Sequence, residues 1–193
     1  MRNHSPNIAI FASGSGSNAV QIINHFKTEN IDTHFFVLSN KKDAAVLEKT
    51  EALGATTMSF SREEFYNSGK IVRFLTENSV QLVVLAGFLW LVPQNLLEAF
   101  PNKIINIHPA LLPKYGGKGM YGMRVHTAVV EAQEKETGIT IHFVDEEYDH
   151  GKTILQKTCN LDPSDSPETV AKKVRQLEHK YFPLVVKELY NDI

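Results

Sequence analysis

The stretch Asn7-Ile-Ala-Ile-Phe-Ala-Ser-Gly-Ser-Gly-Ser-Asn18 decides the fold. After Asn7 it is apolar as far as Ala12 and then enters a glycine–serine cluster, which is the pattern of a short buried strand. From Ser17 the period changes. Ala19, Ile22, Ile23 and Phe26 fall at i, i+3, i+4 and i+7, one face of a helix. A strand without a polar face that runs straight into a helix opens a strand–helix–strand unit, in which helices cover both faces of a parallel sheet.

The same alternation continues downstream. His34-Phe-Phe-Val-Leu38 reads as a second strand, Asp43 to Leu53 as a helix stopped by Gly54, and Thr56 to Phe60 as a third strand. Ser61-Arg-Glu-Glu64 has capping-box spacing and predicts a helix reaching about Asn78. Gln81 to Phe88 is the most apolar strand, Pro93 opens a short helix as its first residue, and Ile104 to His108 is a further strand. The expected class is α/β, a mostly parallel twisted sheet with helices on both faces.

The second half differs. Pro109 to Val125 carries two prolines and several glycines and reads as a loop, with Lys114 and Lys118 solvated; Val125 to Gln133 reads as a helix. Gly138 to Val144 alternates, with Ile139, Ile141 and Phe143 on one face and Thr140 and His142 on the other, so a half-buried strand is expected. An acidic loop, Asp145 to Gly151, leads to a strand over Thr153 to Asn160. A long C-terminal helix follows from Ser166 to Leu189, with a kink expected at Pro183. No linker or repeat divides the chain, so residues 1–193 are expected to form a single domain.

Composition narrows the function classes. The chain has 193 residues, 42% hydrophobic and 22% charged, with a formal net charge of −2. That balance gives no basic surface to track a phosphate backbone, so no nucleic-acid partner is expected. Its one cysteine, Cys159, allows neither an internal disulfide nor a four-cysteine zinc site, and suits a reducing compartment. The polar N-terminus and the short apolar stretch Ile8 to Ala12 do not form a signal-peptide core. The longest apolar run, Leu82 to Val92 with Gly87 inside it, falls short of the ~18–20 residues that a spanning helix needs. A cytoplasmic protein without a membrane partner is expected.

The Ser13–Asn18 loop sits where a parallel sheet binds ligands, at a strand's carboxyl end. Its glycines let backbone approach an anion, and the following helix offers free N–H groups and a positive dipole end. A phosphate site is one reading; a tight turn with Ser17 as helix cap is the other. Gly14, Gly16 and Ala19 fit a dinucleotide fingerprint, but the second strand ends without the acidic residue that would hold a ribose, and Asp32 precedes that strand. The Walker lysine is also missing. A phosphomonoester fits better than a dinucleotide or ATP.

Asn106 and His108 lie two apart on one strand and therefore point the same way. A carboxamide and an imidazole side by side can donate to one oxygen, an oxyanion-stabilising arrangement, and histidine also suits proton transfer near neutral pH. Alternatively both are polar strand-end residues bonded to the loop. A carboxylate near the histidine would favour its protonated form, but composition does not choose among Asp145, Glu146, Glu147 and Asp149. His142 could simply hydrogen-bond on its strand. The remaining histidines, His4 among them, show no metal-ligand spacing, so no metal is expected.

Gly14-Ser-Gly-Ser-Asn18, Val84-Leu-Ala-Gly-Phe88, Asn106-Ile-His-Pro-Ala-Leu-Leu-Pro113, Thr140-Ile-His-Phe-Val144 and Tyr148-Asp-His-Gly151 occur in the order found in the folate-dependent formyltransferases. The sequence resembles the phosphoribosylglycinamide formyltransferases (GAR transformylases) from Ile8 to about Leu184. Methionyl-tRNA formyltransferases carry an extra C-terminal domain, and formyltetrahydrofolate deformylases an extra N-terminal one. The resemblance implies a Rossmann-like formyltransferase fold with a phosphate-binding half at about 1–100 and a folate and catalytic half at about 101–193. It implies transfer of the formyl group of 10-formyltetrahydrofolate, a co-substrate, to the amine of 5-phosphoribosylglycinamide in purine biosynthesis, by a monomer or homodimer acting on small molecules. On that resemblance Asn106 and protonated His108 hold the tetrahedral oxyanion, and Asp149 raises the histidine pKa and orders a water. Gly16, Ser17 and Asn18 bind the phosphate and Glu178 the glycinamide. Arg62, Leu89, Trp90, Leu91, Val92, Asn106, His142 and Glu146 form the folate site. Trp90 stands where many members have arginine, and the loop from Gly116 to His126 is longer than in many of them. The alternatives are a formyltetrahydrofolate hydrolase and a non-catalytic nucleotide-binding module.

Overall fold

The structure is a computed structural model that describes residues 6–193; the first five residues, with His4, lie outside the described residues. Seven strands form one sheet in the order β3-β2-β1-β4-β5-β6-β7. The parallel part comprises β1 (Asn7–Phe11), β2 (Phe35–Ser39), β3 (Thr56–Ser59), β4 (Val80–Leu85) and β5 (Ile104–His108). The last two strands, β6 (Glu136–Phe143) and β7 (Thr153–Asn160), are joined by antiparallel pairings, β6 against β5 and β7 against β6.

The apolar runs are explained by two cores, one on each face of the sheet. Along β1, Ile8 and Ile10 enter one cluster, with Ala19, Ile22, Ile23 and Phe26 of α1 (Ser17–Thr28) and Val174 and Phe182 of α7 (Pro167–Asn191). Ala9 and Phe11 enter the other, with Phe65 of α3 (Arg62–Tyr66), Ile71 and Leu75 of α4 (Lys70–Glu77) and Leu96 of α5 (Gln94–Ala99). Each fully buried Phe, Ile or Leu side chain contributes about 1.5–3 kcal/mol. The remaining helices are α2 (Ala45–Glu51) and α6 (Met123–Glu131).

Several local expectations are corrected. The helix expected from Ser61 to about Asn78 is two helices. The capping box is present, but Asn67 donates to Glu63 (2.6 Å), the Ser68 hydroxyl bonds the Glu64 carbonyl (3.2 Å), and Gly69 takes φ 65°. Those side-chain bonds compete with the helical ladder and end it. Pro93 is the N-cap of α5, in extended conformation, rather than its first helical residue. Strand β6 is buried on both faces, not one: Thr140 is 0% exposed and His142 2%. The Pro109–Gly117 segment covers its polar face, with the Thr140 hydroxyl donating to the Ala110 carbonyl (2.7 Å) and accepting from the Leu112 N–H (3.0 Å). Lys114 is not merely solvated; it pairs with Glu134 at 2.8 Å. The long C-terminal helix is continuous from Pro167 to Asn191, with Pro183 inside it.

Strand order reverses between β1 and β4, so the connections leaving those two strands part to opposite sides. That leaves a crevice at their carboxyl ends. Both the Ser13–Asn18 loop and the Ala86–Val92 segment emerge there.

Candidate active site

A cleft of about 700 Å³ occupies this crevice and extends along the ends of β5 and β6. One end is the turn into α1. Gly16 caps the helix at φ 72°, and no side chain bonds the cap, so the expected alternative of Ser17 as helix cap is not what forms. A Cβ on Gly16 would overlap the Val46 side chain, which ties the glycine to both its left-handed φ and its close packing. The N-terminal N–H groups of a 12-residue helix therefore open into the cleft.

The middle of the cleft is built by strand pairing. Asn106 lies directly across from His142, and His108 across from Thr140. Asn106 and His108 share a face, while Ile105 and Ile107 enter the core behind them. Both polar side chains converge on one carboxylate. Asn106 Nδ2 donates to Asp149 Oδ1 (3.3 Å), and His108 Nδ1 lies 3.3 Å from Asp149 Oδ2. The His142 Nδ1–H faces the Phe143 carbonyl (2.8 Å), which leaves Nε2 to accept from Asn106 (3.1 Å).

The β6–β7 connection selects Asp149 from four acids. Asp145 pairs with exposed His150 (2.8 Å), and Glu146 and Glu147 are exposed. Glu147 also lines the cleft but stays exposed, whereas Asp149, at φ 56°, is half-buried and accepts the Gly117 N–H (2.9 Å). Gly151 permits the turn: a Cβ there would strike the Phe143 carbonyl. Burial by itself would push the Asp149 carboxyl up. The contact with His108, the His108 charge and the Gly117 N–H outweigh it and hold the group well below the usual carboxylate range.

Helix α7 supplies the third wall. Glu178 accepts from Asn18 Nδ2 (3.0 Å). Burial raises its pKa, against the opposing pull of Asn18, Arg175 and His108. Two polar atoms in the wall, Asn18 Oδ1 and His126 Nδ1, are buried without a hydrogen-bond partner. Burial, then the positive charges of Arg175 and His108, lower the His126 pKa, which keeps that ring neutral. Buried polar atoms left unpaired in a cleft suit a polar ligand.

Of the residues singled out by sequence, Gly16, Ser17, Asn18, Leu89, Trp90, Leu91, Val92, Asn106, His108, His142, Asp149 and Glu178 all line the cleft. Arg62 and Glu146 do not. Arg62 lies behind the wall, its guanidinium 4.9 Å from the Tyr66 ring centre and 5.6 Å from that of Trp90. Leu85, Phe88, Leu89, Trp90, Val92 and Val144 make an apolar flank, a surface that suits a flat aromatic ligand. The sequence reading missed Arg175, which lines the cleft one helical turn before Glu178. The helical period counted back from Glu178 is the signal that finds it. Among the described residues no group of three or more His, Cys, Asp or Glu is placed to hold a metal ion.

The family profile described as "Formyl transferase" matches residues 6–186. The chain is 40% identical over 185 residues to the chloroplastic phosphoribosylglycinamide formyltransferase of Arabidopsis thaliana, covering 93% of this chain and 63% of the relative, so it spans less than two thirds of that longer protein. It is 38% identical to the phosphoribosylglycinamide formyltransferase of Bacillus subtilis, covering 94% of this chain and 93% of the relative. Among solved structures, glycinamide ribonucleotide transformylase 1 from Symbiobacterium toebii superposes with a TM-score of 0.88 at 29% identity, covering 99% of this chain and 90% of that one. The phosphoribosylglycinamide formyltransferase of Bacillus halodurans gives 0.84 at 33% identity, covering 95% and 94%. The chain belongs to the formyl transferase family, in its phosphoribosylglycinamide formyltransferase branch.

Proposed function

We propose that this cleft moves the formyl group of 10-formyltetrahydrofolate onto the amine of 5-phosphoribosylglycinamide, with Asn106, His108 and Asp149 as catalytic residues. The observation that carries this reading is the convergence of the Asn106 amide and His108 Nδ1 on Asp149 inside the cleft. Two donors held side by side on one strand face are what a developing oxyanion requires.

The amine nitrogen attacks the formyl carbon, and the carbonyl pair moves onto oxygen. Asn106 and protonated His108 take up that charge. The bond from carbon to the folate nitrogen then breaks, the amine gives up one proton, and the folate nitrogen gains one. Asp149 stabilises the imidazolium and takes part in the proton exchange through an ordered water. The substrate phosphate binds at Gly16, Ser17 and Asn18, with Arg175 as a further cationic partner, and Glu178 receives the glycinamide portion. The pterin and benzoyl rings lie against Leu89, Trp90, Leu91 and Val92, with Asn106 and His142 at the inner end. Arg62 and Glu146 stand outside the wall in this structure, so their folate contacts require the rim to close on the ligand.

In this reading residues 1–193 act as one formyltransferase domain, with a phosphate-binding half at about 1–100 and a folate and catalytic half at about 101–193. A single continuous sheet joins the two halves. Among the described residues no helix is long and apolar enough to cross a membrane. A cytoplasmic setting and a monomer or homodimer complete the proposal, and the single cysteine is consistent with that setting.

The test is formyl transfer from 10-formyltetrahydrofolate to the ribonucleotide amine, followed spectrally, beside formate release without the ribonucleotide. Turnover only with both substrates supports transfer. Equal formate release without the amine would make the protein a hydrolase instead.

A further inference from the structure

The two ring nitrogens of His108 face different partners. Nδ1 faces Asp149 in the cleft, while Nε2 lies 2.8 Å from the backbone carbonyl of Tyr115. A carbonyl only accepts, so Nε2 carries a hydrogen. The proton that can be held or released without breaking that bond is therefore the one on Nδ1.

The carbonyl is not placed there by an ordinary loop. Tyr115 sits at φ 58°, a left-handed conformation costing on the order of 1–2 kcal/mol for a residue with a side chain. Its phenol donates to Glu134 Oε1 (2.8 Å), and the same oxygen receives the Lys114 ammonium (2.8 Å). Glu134 lies in the turn between α6 and β6. Gln156 bonds the Leu112 carbonyl (2.9 Å) nearer the root of the segment, and the Gly117 N–H closes its far end on Asp149. Neither Tyr115 nor Glu134 lines the cleft.

We propose that Glu134, acting through the Tyr115 phenol, is a positioning residue that keeps the Tyr115 carbonyl on His108 Nε2 and so makes Nδ1 the nitrogen that meets the reacting atoms. This inference rests on the formyl-transfer reading of the cleft. The tether lies outside the substrate space, so its loss moves turnover and leaves substrate affinity in place.

The experiment compares the wild type with Tyr115→Phe, Glu134→Ala, their double variant, and Glu134→Gln, which retains an acceptor oxygen. Imidazole ¹⁵N–¹H spectra of the ligand-free proteins are read beside kcat and KM, and unfolding midpoints verify that each variant is folded. The wild type shows a slowly exchanging His108 Nε2–H. In Tyr115→Phe and Glu134→Ala that signal exchanges faster, and kcat falls about tenfold, the scale of one charge-assisted hydrogen bond. Both KM values stay within about twofold, because uniform binding is untouched. The double variant is no worse than the worse single one, and Glu134→Gln recovers most of kcat. Wild-type kcat and an unchanged Nε2–H signal in both disruptive variants would overturn the proposal. If the wild type instead transferred no formyl group while its His108 signal still responded to Tyr115→Phe, the formyl-transfer reading would fall and the tether would stand.

Discussion

Asn18 on the first helix donates a hydrogen bond to Glu178 on the last, 3.0 Å across a separation of 160 positions. On the proposed reading the bond joins the turn that would bind the phosphate to the residue that would receive the glycinamide, so mutually fixed groups would grip the two ends of one substrate. Asn18→Ala would leave Glu178 half-buried without this partner. The expected outcome is a KM for the ribonucleotide raised about tenfold, the scale of a hydrogen bond to a charged group, with the folate KM little changed. Steady-state kinetics with each substrate varied in turn checks it; a folate KM that rises equally would count against the assignment.

Asp149 makes stability depend on acid. Its native pKa lies below the unfolded value of about 3.9, so the stabilisation is complete above the unfolded pKa and is lost as pH falls toward the native one. Asp149→Asn should cost on the order of 2 kcal/mol at pH 7, and the gap to the wild type should shrink between about pH 5 and pH 3. Urea unfolding across that range measures the gap. A difference independent of pH would mean that the carboxylate is not held by charge.

Gly16→Ala combines a left-handed φ with overlap against Val46. A destabilisation of roughly 1–3 kcal/mol is expected, together with weaker binding of a ribose phosphate. Thermal unfolding and calorimetry with ribose 5-phosphate read the two effects. Unchanged affinity in a folded variant would remove the turn from the phosphate site.

Trp90 is the chain's single tryptophan and stands in the apolar flank within an aromatic group including Phe60, Phe65, Tyr66 and Phe88. Its emission should fall saturably with an unreactive folate analogue and stay constant with ribose 5-phosphate. Emission indifferent to saturating folate would place the pterin and benzoyl rings elsewhere.

Much of this site was legible because strand and helix periods are short and rigid. The i, i+2 spacing of Asn106 and His108 was enough to aim them together, and the uninterrupted Ile8–Ala12 run announced a sheet covered on both faces. The choice of Asp149 was not legible from composition: it depends on a positive φ in the β6–β7 turn and on Gly151 passing close to the Phe143 carbonyl. The break at Asn67–Gly69 was hidden for a similar reason, since local side-chain bonds overrode a good helical pattern. The Tyr115 carbonyl on His108 is a backbone contact across a loop, which no residue pattern encodes.

The central claim is that Asn106 and His108 together hold the charge that forms when the amine adds to the formyl group. The most direct measurement is kcat at saturating substrates for Asn106→Ala and His108→Ala, with folding verified. The account predicts a loss of roughly 10²–10³-fold in each, the scale of a lost oxyanion donor. Near-wild-type turnover in both variants would contradict it.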